Sequence, residues 1–271
     1  MSGLDAGPVT TARAAVTSAR SLFRKRRPRD VSTVDSGAFE AVLDRYDDDE
    51  VFVHAGLSDV ATAFDVDPYE FLLETLTGRF ESVLAPGFTP SFKRSGVFHR
   101  EYSRPEYGTF PRLLLDDCDH RTLDPIHSIL VKGPYRFDDC DPRTTFGPDG
   151  WFARLADDDV LYLSVGMPWF RATQLHYLEC AYDVPYVEQS DHSGVVYTDE
   201  RNHEPVEQIN YANANAYLYS FNKTKLERRL HDAGVLDRYD LGGLRIYLTR
   251  ANALERVLGP ELEADPYYLV S

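Results

Sequence analysis

From Asp35 onward the apolar positions follow two alternating spacings. In DSGAFEAVLDRY, Phe39, Val42, Leu43 and Tyr46 recur along one helix face, whereas EVFVHAGLS is a short apolar run entering a turn, as a buried strand does. DPYEFLLETLTGRF opens on Asp67-Pro68, a helix start, and reads as a helix to Gly78. ESVLAPGFTPSF is then a strand halted at Pro86-Gly87. The alternation continues with TFPRLLLDD as a helix, HSILVKGP as a strand, GWFARLA as a helix, DVLYLSVG as a strand and RATQLHYLECAYD as a helix. From VPYVEQ to ANAYLYS the pattern turns β-rich, and KTKLERRLHDAG and TRANALERVLG follow as helices. Strands separated by helices predict an α/β sheet with parallel pairs, which binds ligands at the carboxyl ends of its strands.

Composition narrows this picture. A chain of 271 residues with 43% hydrophobic and 13% aromatic residues can bury a substantial core, so one main domain is expected over 34–271. Residues 1–33 differ: they are rich in small residues and end in Arg24-Lys25-Arg26-Arg27-Pro28-Arg29, which predicts a flexible basic N-terminal arm. The net charge of −15 argues against nucleic acid as a partner, because phosphate binding needs a basic footprint. Lysine occurs only at Lys25, Lys93, Lys132, Lys223 and Lys225, while aspartate clusters as in DRYDDDE, LDDCDH and RFDDCDP. That balance is similar to proteins of salt-loving archaea, so the clusters read as a hydrated surface before they read as a metal site. No apolar stretch approaches the roughly 20 residues of a membrane span and no secretory leader is apparent, so a cytoplasmic protein is expected. Cys118, Cys140 and Cys180 lack metal-ligand spacing and read as reduced thiols.

The candidate chemistry gathers at strand ends. His54 and Ser58 follow the first strand, Thr89 and Ser91 the second, and Asp124, His127 and Ser128 precede the third. Thr173, His176 and Glu179 are spaced by three on a predicted helix, which places them in one sector and lets a carboxylate orient an imidazole. Each has a plainer reading: a core histidine at His54, a surface i,i+3 pair at His176 and Glu179, and a turn initiator at Asp124. The chain has no G-x-S-x-G elbow, no G-x-x-x-x-G-K-[ST] loop and no H-E-x-x-H helix, which removes serine hydrolases of that type, P-loop enzymes and zinc peptidases.

Six segments taken in order resemble the aminoglycoside 3-N-acetyltransferase family, from about Asp35 to the C-terminus. VFVHAGLS looks like its V-H-S-S-L-S turn, SVLAPGFTPSF is similar to its T-L-V-x-P-T-F-T strand, and RPEYGTFPRLLL matches the glycine-containing helix that follows. RTLDPIHSILVKG resembles R-S-x-H-P-x-x-S-x-A-A-x-G, TTFGPDGWFARL resembles F-G-x-x-S-P-x-x-R-L, and LYLSVGMPWFRATQLHYLE resembles L-L-L-G-V-G-x-x-x-x-T-S-L-H-x-x-E. The resemblance implies a layered α/β sheet with helices on both faces and a small β-rich C-terminal elaboration. It also implies acetyl-CoA as cosubstrate, no metal, and acetyl transfer to an amino group of an aminoglycoside-like compound or amino sugar. A small-molecule amine is then the partner, and a homodimer is compatible with it.

Carried over by position, Thr173, His176 and Glu179 fall on the family's T-x-x-H-x-x-E helix. His54 and Ser58, with Arg121 and Ser128, fall on turns that flank the acetyl-CoA and acceptor cleft, and Lys132 and Arg136 are further candidates for CoA phosphates. Asp124 stands where the family commonly has histidine, Ala55 and Gly56 replace two serines, and Gly166-Met167-Pro168-Trp169-Phe170 replaces a short polar segment. The chemistry asks for a base to deprotonate the amine and a donor for the oxyanion. His176 with Glu179 and His127 with Asp124 both qualify for the first role, and Thr173, Ser128 or backbone N–H groups for the second. The rival reading is an inactive scaffold of the same fold that binds a sugar or nucleotide. A metal-dependent hydrolase built on the aspartate clusters ranks behind both.

Overall fold

Continuous apolar runs make strands that must be covered on both faces. The computed structural model, which describes Val16 and residues 30–215 and 218–270, covers them in this way. The expected basic arm lies outside the described residues apart from Val16 and residues 30–33. In chain order the elements are α1 (Gly37–Leu43), β1 (Glu50–Ala55), α2 (Leu57–Phe64), α3 (Pro68–Arg79), β2 (Ser82–Pro86), α4 (Phe92–Ser95) and β3 (Val97–His99). There follow α5 (Thr109–Asp117), β4 (His120–Arg121), β5 (Ile129–Lys132), α6 (Trp151–Asp157), β6 (Leu161–Val165) and α7 (Gln174–Ala181). The last are β7 (Val187–Tyr197), β8 (His203–Asn213), α8 (Lys223–Asp232), β9 (Asp237–Leu241), β10 (Leu244–Arg250) and α9 (Ala251–Ala264).

Seven strands form the main sheet in the order β4-β5-β2-β1-β6-β10-β9. β1 runs parallel to both β2 and β6, and the remaining pairs are antiparallel, so the expected parallel pairs hold only at the centre. Side chains alternate between two cores, as strand geometry requires. Val51 and Val53 of β1 point into one core with Leu161 and Leu163 of β6 and the helices α1, α2, α3 and α5. Phe52 and Tyr162 point into the other with α6, α7, α8 and α9. The sheet is therefore layered between helices. The β-rich segment is the hairpin β7–β8, which with β3 makes a separate three-stranded sheet.

Two features place the site. At the carboxyl ends of β1 and β6, Gly56 and Gly166 meet back to back: a Cβ on Gly56 would lie 2.3 Å from the Gly166 carbonyl oxygen, and Gly166 has φ of +67°. Only glycine lets the two exits approach so closely and lets the second turn left-handed. The β9–β10 hairpin is not among the elements predicted from the apolar pattern; its turn residues Gly242 and Gly243 both have positive φ. A Gly-Gly pair between alternating runs is the local signal for such a hairpin.

Candidate active site

The centre of the site is built outward from β1 and α7. His54 is the penultimate residue of β1, and its Nε2 lies 3.2 Å from the hydroxyl oxygen of Thr173, the residue that leads into α7. Thr173 has helical backbone angles and makes no side-chain cap, so its hydroxyl is turned to His54 rather than to the helix end. One turn on, His176 Nδ1 is 2.6 Å from Glu179 Oε2, and Glu179 is only 4% exposed in its side chain while His176 is 50% exposed. The helix is anchored from below: Gln174 is fully buried, accepts a hydrogen bond from the Tyr162 hydroxyl at 3.0 Å and donates to the Phe152 carbonyl at 2.9 Å. Ahead of it, Ser164 Oγ donates to the Arg171 carbonyl at 2.7 Å and accepts the Arg171 N–H at 3.0 Å, and Glu227 accepts the Phe170 N–H. Sequence reasoning did not select Tyr162, Ser164, Gln174 or Glu227. Tyr162 and Ser164 stand out only as polar positions inside the apolar run of β6, while Gln174 and Glu227 lie in mixed or charged helical segments that give no such signal; each is explained by a hydrogen bond that holds α7 or the loop before it.

A cavity of about 460 Å³ lies over these residues. His54, His127, Thr173, His176 and Glu179 all line it, so the structure brings five of the nine predicted residues together. The wall between the imidazoles is aromatic: Phe146 sits 5.2 Å from the His127 ring and 5.8 Å from the His176 ring, and Phe88 and Phe221 contact the same two histidines. Burial, with help from the Arg171 and His176 charges, pushes His54 down to about 3. Burial, helped by His176 and Lys93, pushes His127 down to about 3 as well. Both rings are thus neutral near pH 7, and His127 Nδ1 has no hydrogen-bond partner among the described residues.

The other predicted residues are placed differently. Arg121 is 2% exposed and donates to Ser128 Oγ and to the carbonyls of Gly87, Arg100 and Ser103, with its guanidinium 4.6 Å from the Phe98 ring centre. Ser128 also donates to the Gly87 carbonyl at 2.7 Å. These two side chains tie the exit of β2 to the segment before β5, and neither lines the cavity. Ser58 is exposed in the first turn of α2, outside the cavity lining. Lys132 pairs with Asp119 at 3.1 Å and Arg136 binds local carbonyls.

Asp124 does not pair with the His127 ring. One carboxylate oxygen accepts the N–H groups of Ile126 and His127 at 2.8 Å each, and the other accepts from the Thr145 hydroxyl and from Gln208 Nε2. The side chain is completely buried, which pushes its pKa up to about 6 against the opposing hydrogen bonds of His127, Thr145 and Ile126. The expected alternative dyad is therefore not formed: Asp124 fixes the backbone that presents His127. Among the described residues no group of three or more His, Cys, Asp or Glu side chains is placed to hold a metal ion.

The fold matches a defined class of solved structures. A CoASH binary complex of AAC-IIIb superposes with a TM-score of 0.69 at 17% identity, covering 86% of this chain and 97% of that one. The aminoglycoside acetyltransferase AAC(3)-Xa gives 0.66 at 15% identity over 95% and 98%, and sisomicin-bound AAC-VIa gives 0.64 at 16% over 86% and 99%. No curated protein sequence matches significantly. Residues 90–259 match the profile of the aminoglycoside 3-N-acetyltransferase family, and the chain belongs to that family.

Proposed function

We propose that the protein is an acetyl-CoA-dependent N-acetyltransferase acting, through a domain spanning 34–271, on an amino group of an aminoglycoside-like compound or amino sugar. The observation that carries this reading is the His176–Glu179 pair on the cavity wall. With Glu179 accepting the Nδ1 proton, His176 Nε2 is left with its lone pair free to take a proton from the attacking amine. The nitrogen bonds to the thioester carbonyl carbon, the carbon–sulfur bond breaks, and the departing thiolate receives that proton. Thr173 donates its hydroxyl to the developing oxyanion, and the neutral His54 ring beside it orients that hydroxyl. Acetyl-CoA as the donor is supported by family membership and by the CoASH complex of the related AAC-IIIb structure.

The inactive-scaffold reading rested on Asp124. That residue binds loop backbone and is outside the pair assigned to proton transfer, so its replacement of histidine leaves the reaction available. The acidic composition supports a salt-rich setting, and assays belong in high salt. Release of CoA thiol from acetyl-CoA in the presence of amine acceptors is the direct test. His176→Ala is expected to lower turnover by about 10²–10⁴-fold, the contribution of a positioned base. A loss under tenfold would remove His176 from that role.

A further inference from the structure

The charge of the cavity restricts what can enter it. Among its described lining residues Glu179 is the one carboxylate, and it is buried and already engaged by His176 at 2.6 Å. His54 and His127 are held neutral. The cations on the lining are Arg171 and Lys223, which converge on one indole: the Lys223 ammonium lies 3.8 Å and the Arg171 guanidinium 5.8 Å from the Trp169 ring centre. Among the described residues no carboxylate pairs with Arg171. A ligand with several ammonium groups would have to bring them past these cations with no lining carboxylate free to receive them, and like charges repel. An anionic group beside the reacting amine meets the opposite situation, because a guanidinium is a fork of donors for carboxylate or phosphate.

Resting on the acetyltransferase reading, we infer that the acceptor is an amino sugar carrying a carboxylate or phosphate, read by Arg171, and not a polycationic aminoglycoside. Phe146, Phe88 and Phe221 supply flat apolar surface for the sugar ring between the histidines. The transfer is the one already described: the amine gains the acetyl group and gives its proton through His176 to the leaving thiolate.

The test compares kcat/KM for sisomicin, glucosamine and glucosamine 6-phosphate, with galactosaminuronate separating carboxylate from phosphate. The expected result is a preference of about tenfold or more for an acidic sugar over glucosamine, with sisomicin poorest. Arg171→Gln should remove most of that ratio and Arg171→Lys should restore part of it. Sisomicin as the best acceptor overturns the inference, as does an unchanged ratio in Arg171→Gln. Absence of turnover with every acceptor would fail the acetyltransferase reading instead, and calorimetry then decides this one. Binding of glucosamine 6-phosphate that exceeds glucosamine and is lost in Arg171→Gln keeps it, and equal or absent binding ends it.

Discussion

Asp124 shows how one buried side chain can mimic a catalytic one. A carboxylate three residues before a histidine invites a dyad, yet its two oxygens are spent on two backbone N–H groups, a hydroxyl and an amide. Replacement by asparagine keeps one acceptor and turns an NH₂ toward the Thr145 and Gln208 donors. Asp124→Asn is therefore expected to lose about 1–3 kcal/mol of stability, the cost of leaving buried polar groups unpaired. Asp124→Ala should lose at least as much. Urea unfolding midpoints of the three proteins check this, and an unchanged midpoint in Asp124→Ala would end the structural account. Arg121 and Ser128 teach the same lesson, since residues expected at a CoA cleft serve as braces for the Gly87 carbonyl.

Among elements, the strands were legible where burial on both faces makes the run continuous, as in β1 and β6. The helix α3 was legible from Asp67-Pro68, and Asp67 does accept the N–H groups of Tyr69 and Glu70. Strand direction was not legible, because whether β5 or β10 runs against its neighbour depends on a partner far along the chain. The T-x-x-H-x-x-E helix was readable as a sector, while the contact of Thr173 with His54 needed two elements to meet. Gly56 is the reverse case: it looked like a lost serine, and it is demanded by the approach of β6. Gly56→Ser is expected to destabilise by about 1–3 kcal/mol through overpacking against the Gly166 carbonyl, with the thermal midpoint lowered and CoA release reduced. A midpoint equal to wild type would show that the two turns can part without cost.

For the whole molecule, the neutral histidines set a pH limit. His54 and His127 have folded values of about 3, below an unfolded value near 6.5, so the unfolded chain binds more protons between those values. Stability is then complete above about pH 6.5 and falls as pH drops toward 3, by about 1.4 kcal/mol per pH unit for each ring. Asp124, raised to about 6, acts in the opposite sense between about pH 4 and 6, so one histidine's worth of loss remains there. Denaturant midpoints from pH 7 to 4.5 should decline, and His127→Phe should flatten the decline by about 1.4 kcal/mol per unit. An identical slope in the variant would place His127 in solvent. The contact between His54 and Thr173 also spans 119 residues. Every cavity wall comes from a different stretch of chain, so no early local structure contains a site: loop-closure entropy must be overcome before β1 and α7 meet, and such non-local contacts form slowly. A ribosome-bound chain stopped short of α7 would hold the sheet's central strand and no trace of catalysis.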